Sequence, residues 1–241
     1  MYFNYVDTRV NYEFNKNKKG EVLLLLHGWG GSVNSFDAIK QIKKTYKTLI
    51  VDFPPFGKSD EPKDWNIFSY ANMVISLCEH LNIKKCHVLG HSFGGRVGIL
   101  ISVLQKELVD KLILVDSAGM KPRRKPSYYL KTLEYKLRKV FGISTMRMGS
   151  SDYKDLTLNM KKVFSRVVST YLEEYASMVS QKTLIVFGEK DKETPIYMAK
   201  RLNKLIKNSK LIVFKGCAHF CYLEKPYEFC KLVNSFLKEG E

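Results

Sequence analysis

Short apolar runs alternate with longer amphipathic stretches along most of the chain. The runs at 22–26, 48–52, 87–90, 112–116, 184–187 and 211–214 hold four or five residues each, rich in Leu, Ile and Val and nearly all apolar. That is the pattern of strands buried on both faces of a sheet. Between them, 35–45, 70–81, 94–106, 195–207 and 226–238 place apolar residues at helical spacing. Pro195 and Pro226 open two of these stretches, where the missing N–H costs nothing because first-turn amides have no partner within the helix. Strands and helices in alternation predict an α/β fold: a mostly parallel sheet of about eight strands flanked by helices on both faces. Segment 2–14 mixes aromatic, β-branched and polar residues and predicts a strand pair at an antiparallel edge.

The alternation stops after Asp116 and resumes only at Thr183. A structureless connection of that length is uncommon, so the segment is expected to carry helices of its own. Within 127–141, Leu130, Leu133, Leu137 and Val140 recur at steps of three and four, and 159–179 is also expected to be helical. These patterns divide the chain into a core of 1–119 and 182–241 and a helical cap, 120–181, inserted in it. Tyr128, Tyr129 and Tyr135 give the first cap helix an aromatic face, suited to covering an acyl pocket or to lying on a surface.

Composition narrows the class. The chain has 241 residues, 45% hydrophobic and 27% charged, ordinary values for a folded domain and unlike those of a disordered chain. Its apolar runs are far shorter than the roughly 20 residues of a membrane span, and residues 1–11 lack the apolar stretch of a signal peptide. A cytoplasmic protein is expected. Five cysteines without CxxC spacing read as reduced thiols.

The formal net charge is +16, from 40 basic and 24 acidic residues. Of the basic residues 32 are Lys and 8 are Arg, which weakens a nucleic-acid reading, since Arg supplies the planar fork that reads phosphates and bases. No nucleic-acid partner is expected. The excess concentrates at 121–182, which holds 14 basic and 5 acidic residues. A weak contact between this basic cap and anionic surfaces is therefore also an expectation.

The sharpest chemical signal is Gly90-His91-Ser92-Phe93-Gly94-Gly95, directly after a predicted strand and before a predicted helix. In that position a GxSxG sequence describes a tight elbow that presents a serine hydroxyl above the sheet, at a helix N-terminus that favours negative charge. A serine needs a base, and a base needs a carboxylate to orient it. Of the five histidines, His219 lies in a loop after the last predicted strand, at the edge where parallel sheets place their sites. Asp191, Glu189 and Glu193 share the loop after the preceding strand; the short, rigid side chain favours Asp191. Two backbone amides could hold an oxyanion, those of Phe93 and of Trp29 in His27-Gly28-Trp29-Gly30-Gly31. Cys217 and Cys221 bracket His219, but the spacing is not that of a zinc site, so neither metal nor cofactor is expected.

Together with Asp52-Phe53-Pro54-Pro55-Phe56-Gly57-Lys58-Ser59, these motifs occur in the order of the α/β-hydrolase superfamily, which the chain resembles over essentially its whole length. Pro55 departs from the glycine usual there. The resemblance implies Ser92 as nucleophile, Asp191 as acid and His219 as base. The HGW loop is more similar to that of small carboxylesterases and carbon–carbon bond hydrolases than to lipases with an HGGG loop. A serine at position 92 argues against dehalogenase or epoxide hydrolase chemistry, which needs a carboxylate nucleophile. The expected activity is cleavage of a small acyl substrate, an ester or related compound, through an acyl-enzyme. The alternatives are carbon–carbon bond hydrolysis of a diketone-like substrate, or a slow-turnover ligand sensor on the same scaffold.

Overall fold

The computed structural model describes residues 1–16, 18–123 and 156–239. The strands are β1 (Tyr2–Tyr5), β2 (Thr8–Phe14), β3 (Val22–Leu26), β4 (Lys47–Val51), β5 (Cys86–His91), β6 (Val109–Val115), β7 (Lys182–Gly188) and β8 (Ser209–Phe214). They form one sheet in the order β1-β2-β4-β3-β5-β6-β7-β8. β1 pairs antiparallel with β2 and β2 with β4, while every later pairing is parallel. This is the predicted α/β-hydrolase architecture, including its antiparallel edge.

The helices among the described residues are α1 (Lys40–Thr45), α2 (Ile67–His80), α3 (Phe93–Leu104), α4 (Leu158–Ser169), α5 (Glu173–Met178), α6 (Ile196–Leu205), α7 (Cys221–Glu224) and α8 (Pro226–Lys238). All five residues of β3 are buried. Alternation along the strand sends Leu24 and Leu26 into one apolar layer with α2 and α3, and Leu23 and Leu25 into a second with α1 and α8. Each such leucine contributes roughly 1.5–3 kcal/mol by leaving water.

Some expectations shift. The stretch predicted as one helix at 35–45 is a 3-10 turn, Val33–Ile39, followed by the short α1. Helix α2 begins earlier than its apolar spacing suggested, because the Asn66 side chain accepts from the amides of Phe68 and Ser69. β8 is not buried on both faces: it lies at the sheet edge with a half-exposed pattern, Val213 being 38% exposed. The helix predicted at 159–179 is two helices, α4 and α5, separated at Thr170-Tyr171-Leu172. Met160, Val163, Val167, Leu172 and Ala176 from this stretch join the same apolar layer as α2 and α3. The helix expected at 127–141 falls outside the described residues.

Between β3 and β5 the connections change direction, β4 lying on one side and β6 on the other. The crevice at such a switch point, beyond the carboxyl ends of the strands, is where open α/β sheets bind ligands. The loop at Gly28-Trp29 follows β3, and Ser92 follows β5.

Candidate active site

Ser92 links β5 to α3 at φ 49° and ψ −108°, a left-handed backbone that a serine adopts only where its surroundings impose it. Those surroundings are specific. The Ser92 amide donates to the Val115 carbonyl at 3.0 Å, and the Ser92 carbonyl accepts from Gly95 and Ala118, each at 3.1 Å. The flanking glycines allow the close approach: a Cβ at Gly94 would collide with the Leu26 carbonyl, and one at Gly90 with the Gly94 carbonyl. The fold thus holds a serine at the first turn of α3, over the switch point.

His219 follows β8, and Asp191 follows β7. The Nδ1–H of His219 donates to Asp191 Oδ2 at 2.8 Å, with both side chains buried. Thr194 Oγ1 donates to the same oxygen at 2.6 Å, and the amides of Glu193 and Thr194 donate to Oδ1 at 2.8 and 2.9 Å. Burial works to raise the pKa of Asp191, but the hydrogen bonds from His219 and Thr194 outweigh it and hold the carboxyl below its usual range. For His219, burial favours the neutral ring, yet the Asp191 hydrogen bond and the charges of Asp191, Glu193 and Asp116 outweigh it, raising the imidazole pKa above its ordinary value.

Of the three carboxylates in the loop after β7, Asp191 meets Nδ1. Glu189 instead accepts from the Gly216 amide at 2.9 Å. Glu193 faces the other imidazole nitrogen, its Oε2 lying 3.3 Å from Nε2. Among the described residues no hydrogen bond joins the Ser92 hydroxyl to His219. The structure therefore couples Asp191 and His219 directly, while Ser92 is linked to His219 through its neighbour: His91 Nε2–H donates to the His219 carbonyl at 2.8 Å.

His91 and His27 are two residues whose roles the sequence did not disclose. His91 is buried, and burial followed by the charge of His219 lowers its pKa to about 3, so the ring is neutral. His27 is likewise buried, with its pKa lowered to about 4 chiefly by burial. Its Nε2 accepts from the Phe53 amide at 2.9 Å, which fixes Nδ1–H as donor to the Gly28 carbonyl at 2.7 Å. Gly31 N–H donates to that carbonyl as well, at 3.0 Å. In a trans peptide the carbonyl and the following N–H point opposite ways. Anchoring the Gly28 carbonyl therefore turns the Trp29 amide the other way. Only the pairing of each ring nitrogen shows such roles, and a sequence does not display it.

The indole of Trp29 packs edge-on against Phe93, Phe56 and Phe164, with ring centroids 5.3, 5.0 and 5.0 Å away. This gives the crevice an apolar wall built from four separate segments. Arg96, four residues past Ser92, is buried, and its Nη1 donates to the carbonyls of Val167 at 3.0 Å and Thr170 at 2.7 Å. Asp116, just past β6, accepts from the amides of Gly188 at 2.7 Å and Cys221 at 3.4 Å. Burial, only partly offset by these bonds, raises its pKa to about 7. Cys217 and Cys221 are free and buried, and among the described residues they form no metal-type cluster with His219.

Residues 21–143, just over half of the chain, match the sequence pattern of the family described as alpha/beta hydrolase fold. The chain belongs to this family. Among curated relatives, an uncharacterised hydrolase of Bacillus subtilis is 25% identical, over 95% of this chain and 94% of its own. A 2-hydroxy-6-oxononadienedioate/2-hydroxy-6-oxononatrienedioate hydrolase of Escherichia coli is 27% identical, over 90% of this chain and 87% of its own. Of solved structures, the enol-lactonase of Burkholderia xenovorans superposes with a TM-score of 0.79 at 17% identity, covering 99% of this chain and all of that one. That likeness concerns the fold. The chain is a hydrolase of this fold; no helix among its described residues is long and apolar enough to cross a membrane.

Proposed function

We propose that this hydrolase uses Ser92 as nucleophile, His219 as general base and Asp191 as the carboxylate that orients it, cleaving carboxylic esters or related acyl compounds. The observation that carries this reading is the Asp191–His219 hydrogen bond of 2.8 Å, one short bridge from a serine held at a left-handed backbone angle. Asp191 fixes the tautomer with the proton on Nδ1, leaving Nε2 to take the Ser92 proton as Oγ attacks the carbonyl carbon. The amides of Phe93 and Trp29 receive the oxygen that becomes negative. Neither has another acceptor among the described residues, and the first also benefits from the α3 N-terminus. His219 then protonates the leaving alcohol, and a water deprotonated by Nε2 clears the acyl-enzyme. The apolar wall of Trp29, Phe56 and Phe164 suits a hydrophobic acyl or alcohol group. Five unpaired cysteines support a reducing, cytoplasmic setting.

A panel of p-nitrophenyl esters of rising chain length tests the proposal. Multiple turnovers are expected, with Ser92→Ala lowering kcat by at least about 10³-fold while circular dichroism stays unchanged. Release of no more than one equivalent of nitrophenol would instead mark a slow-turnover sensor. A second reading, hydrolysis of a carbon–carbon bond in a diketone-like substrate, is favoured by the Escherichia coli relative named above. Comparing kcat/KM of the unaltered protein for a vinylogous 1,5-diketone and for the esters separates the two by substrate preference.

A further inference from the structure

At the end of the sheet away from Ser92, the starts of three adjacent strands bring Glu21, His87 and Asp110 together. Glu21 immediately precedes β3, and His87 and Asp110 are the second residues of β5 and β6. One potential ligand atom from each lies within 4.8 Å of the other two. The strand register explains part of the meeting. Cys86 pairs with Val109 but Val88 pairs with Leu112, so β6 carries one residue more than β5 across His87. Such a bulge re-aims a side chain that regular pleating would direct elsewhere, and here the Asp110 carboxylate faces the imidazole.

The imidazole is buried, its side chain 2% exposed. Its Nε2 lies 2.9 Å from Glu21 Oε2, a hydrogen bond. Its Nδ1 lies 3.4 Å from Asp110 Oδ2 without forming one, and is one of two buried side-chain polar atoms lacking a partner among the described residues. When the neutral ring gives its single proton to the bond with Glu21, the Nδ1 lone pair points at a carboxylate. Two electron-rich atoms facing each other in a buried position is an unfavourable arrangement that a cation between them relieves. Their separation matches the edge of a tetrahedron whose metal–ligand bonds are about 2.0–2.1 Å. Lys85 Nζ, 2.5 Å from Oδ1, occupies the other oxygen of Asp110 and leaves Oδ2 for this purpose.

The geometry points to a binding site for a divalent transition-metal ion such as Zn²⁺, with His87 Nδ1 and Asp110 Oδ2 as protein ligands and water completing the coordination. Glu21 accepts the Nε2–H bond and fixes the tautomer, as outer carboxylates do for metal-bound histidines. Its side chain is 54% exposed, which places the cluster within reach of solvent. One imidazole and one carboxylate form a nitrogen–oxygen set suited to Zn²⁺ over Ca²⁺ or Mg²⁺. Bound there, the ion would tie three strand starts together, remote from the Ser92 crevice.

Long-range proton–nitrogen NMR of the histidine rings at neutral pH, titrated with Zn²⁺, tests this. With only five histidines in the chain, the His87 signals are identified by their response to Glu21→Gln, so no buried residue need be replaced. One equivalent of Zn²⁺ is expected to move His87 Nδ1 to a coordinated shift while Nε2 stays protonated. Asp110→Asn and Glu21→Gln should each weaken binding about tenfold or more, and Lys85→Met, which removes a competing cation, should strengthen it. Two results would overturn the site. One is a His87 ring protonated on both nitrogens and unchanged by millimolar Zn²⁺, an imidazolium clamped between two carboxylates. The other is an Asp110→Asn chain that binds Zn²⁺ as tightly as the unaltered one.

Discussion

His219 Nε2 lies 3.3 Å from Oε2 of Glu193, so the imidazole stands between two carboxylates, one on each nitrogen. Only the free-base ring can take the Ser92 proton. Because the combined carboxylates raise the His219 pKa, activity should climb with pH and reach half its plateau above the ordinary histidine value. Glu193→Gln removes one of these charges, and the acid limb of kcat/KM should move to lower pH. Since the Glu193 side chain is 66% exposed, solvent screening keeps the move small. A pH–rate profile of both proteins decides it; an unmoved limb would mean that Glu193 does not face the working base.

Asp191→Asn keeps the shape of the acid but can present its amide nitrogen to His219, which favours the tautomer with the proton on Nε2. A loss of about 10⁴-fold in kcat is expected, with the fold intact. Steady-state ester hydrolysis alongside circular dichroism checks it.

The His27 ring aims the Trp29 amide by anchoring the Gly28 carbonyl. His27→Ala should therefore lower kcat by about 10²–10³-fold, the scale of one lost oxyanion donor, with a much smaller change in KM. A mutant in which KM rises and kcat holds would place the Trp29 amide outside the reaction. His27 is buried, so thermal unfolding is measured in parallel to separate loss of fold from loss of the donor.

Asp116 shows the opposite linkage to Asp191. Its folded pKa, about 7, lies above the 3.8 of a free carboxyl. Its contribution to stability is thus full below that lower value and is lost as the pH rises through about 7, a change on the order of 4 kcal/mol at most. Asp116→Asn cannot ionise. The stability advantage of the unaltered chain over this variant should shrink between pH 5 and pH 8, read by denaturant unfolding at each pH. A constant difference would mean that Asp116 stays ionised throughout.

Arg96 donates to two carbonyls at the end of α4. Arg96→Ala leaves the buried Val167 carbonyl and the part-buried Thr170 carbonyl without this donor, at roughly 1–3 kcal/mol for the buried one and less for the other, and a lowered melting temperature is expected. Arg96→Lys, which keeps the charge but reaches fewer acceptors, should recover part of the loss.

The mostly parallel sheet and the elbow were legible because they are written in local pattern: nearly all-apolar runs for β3 to β7, and glycines at positions 90 and 94, on either side of Ser92, that the close packing demands. The partner of His219 was legible by loop position and side-chain length. The part played by Glu193 was not, because side chains two residues apart in one loop meet opposite edges of the same ring only after the loop turns through the amides bonded to Asp191 Oδ1. His27 and His91 read as incidental for a similar reason, since each acts through a carbonyl contributed by backbone folding. The edge position of β8 was also hidden, as Leu211 to Phe214 look like a central strand until topology leaves them without a neighbour on one side.

The Arg96 bridge fixes which wall of the crevice can yield. α4 cannot draw back from α3 without stranding a guanidinium among apolar side chains, so Phe164, carried on α4, behaves as a doorpost. In the proposed reaction an acyl group lying against Trp29 would meet a fixed ring at Phe164, so a limit on its size there would follow from rigidity instead of from any contact with the reacting bond.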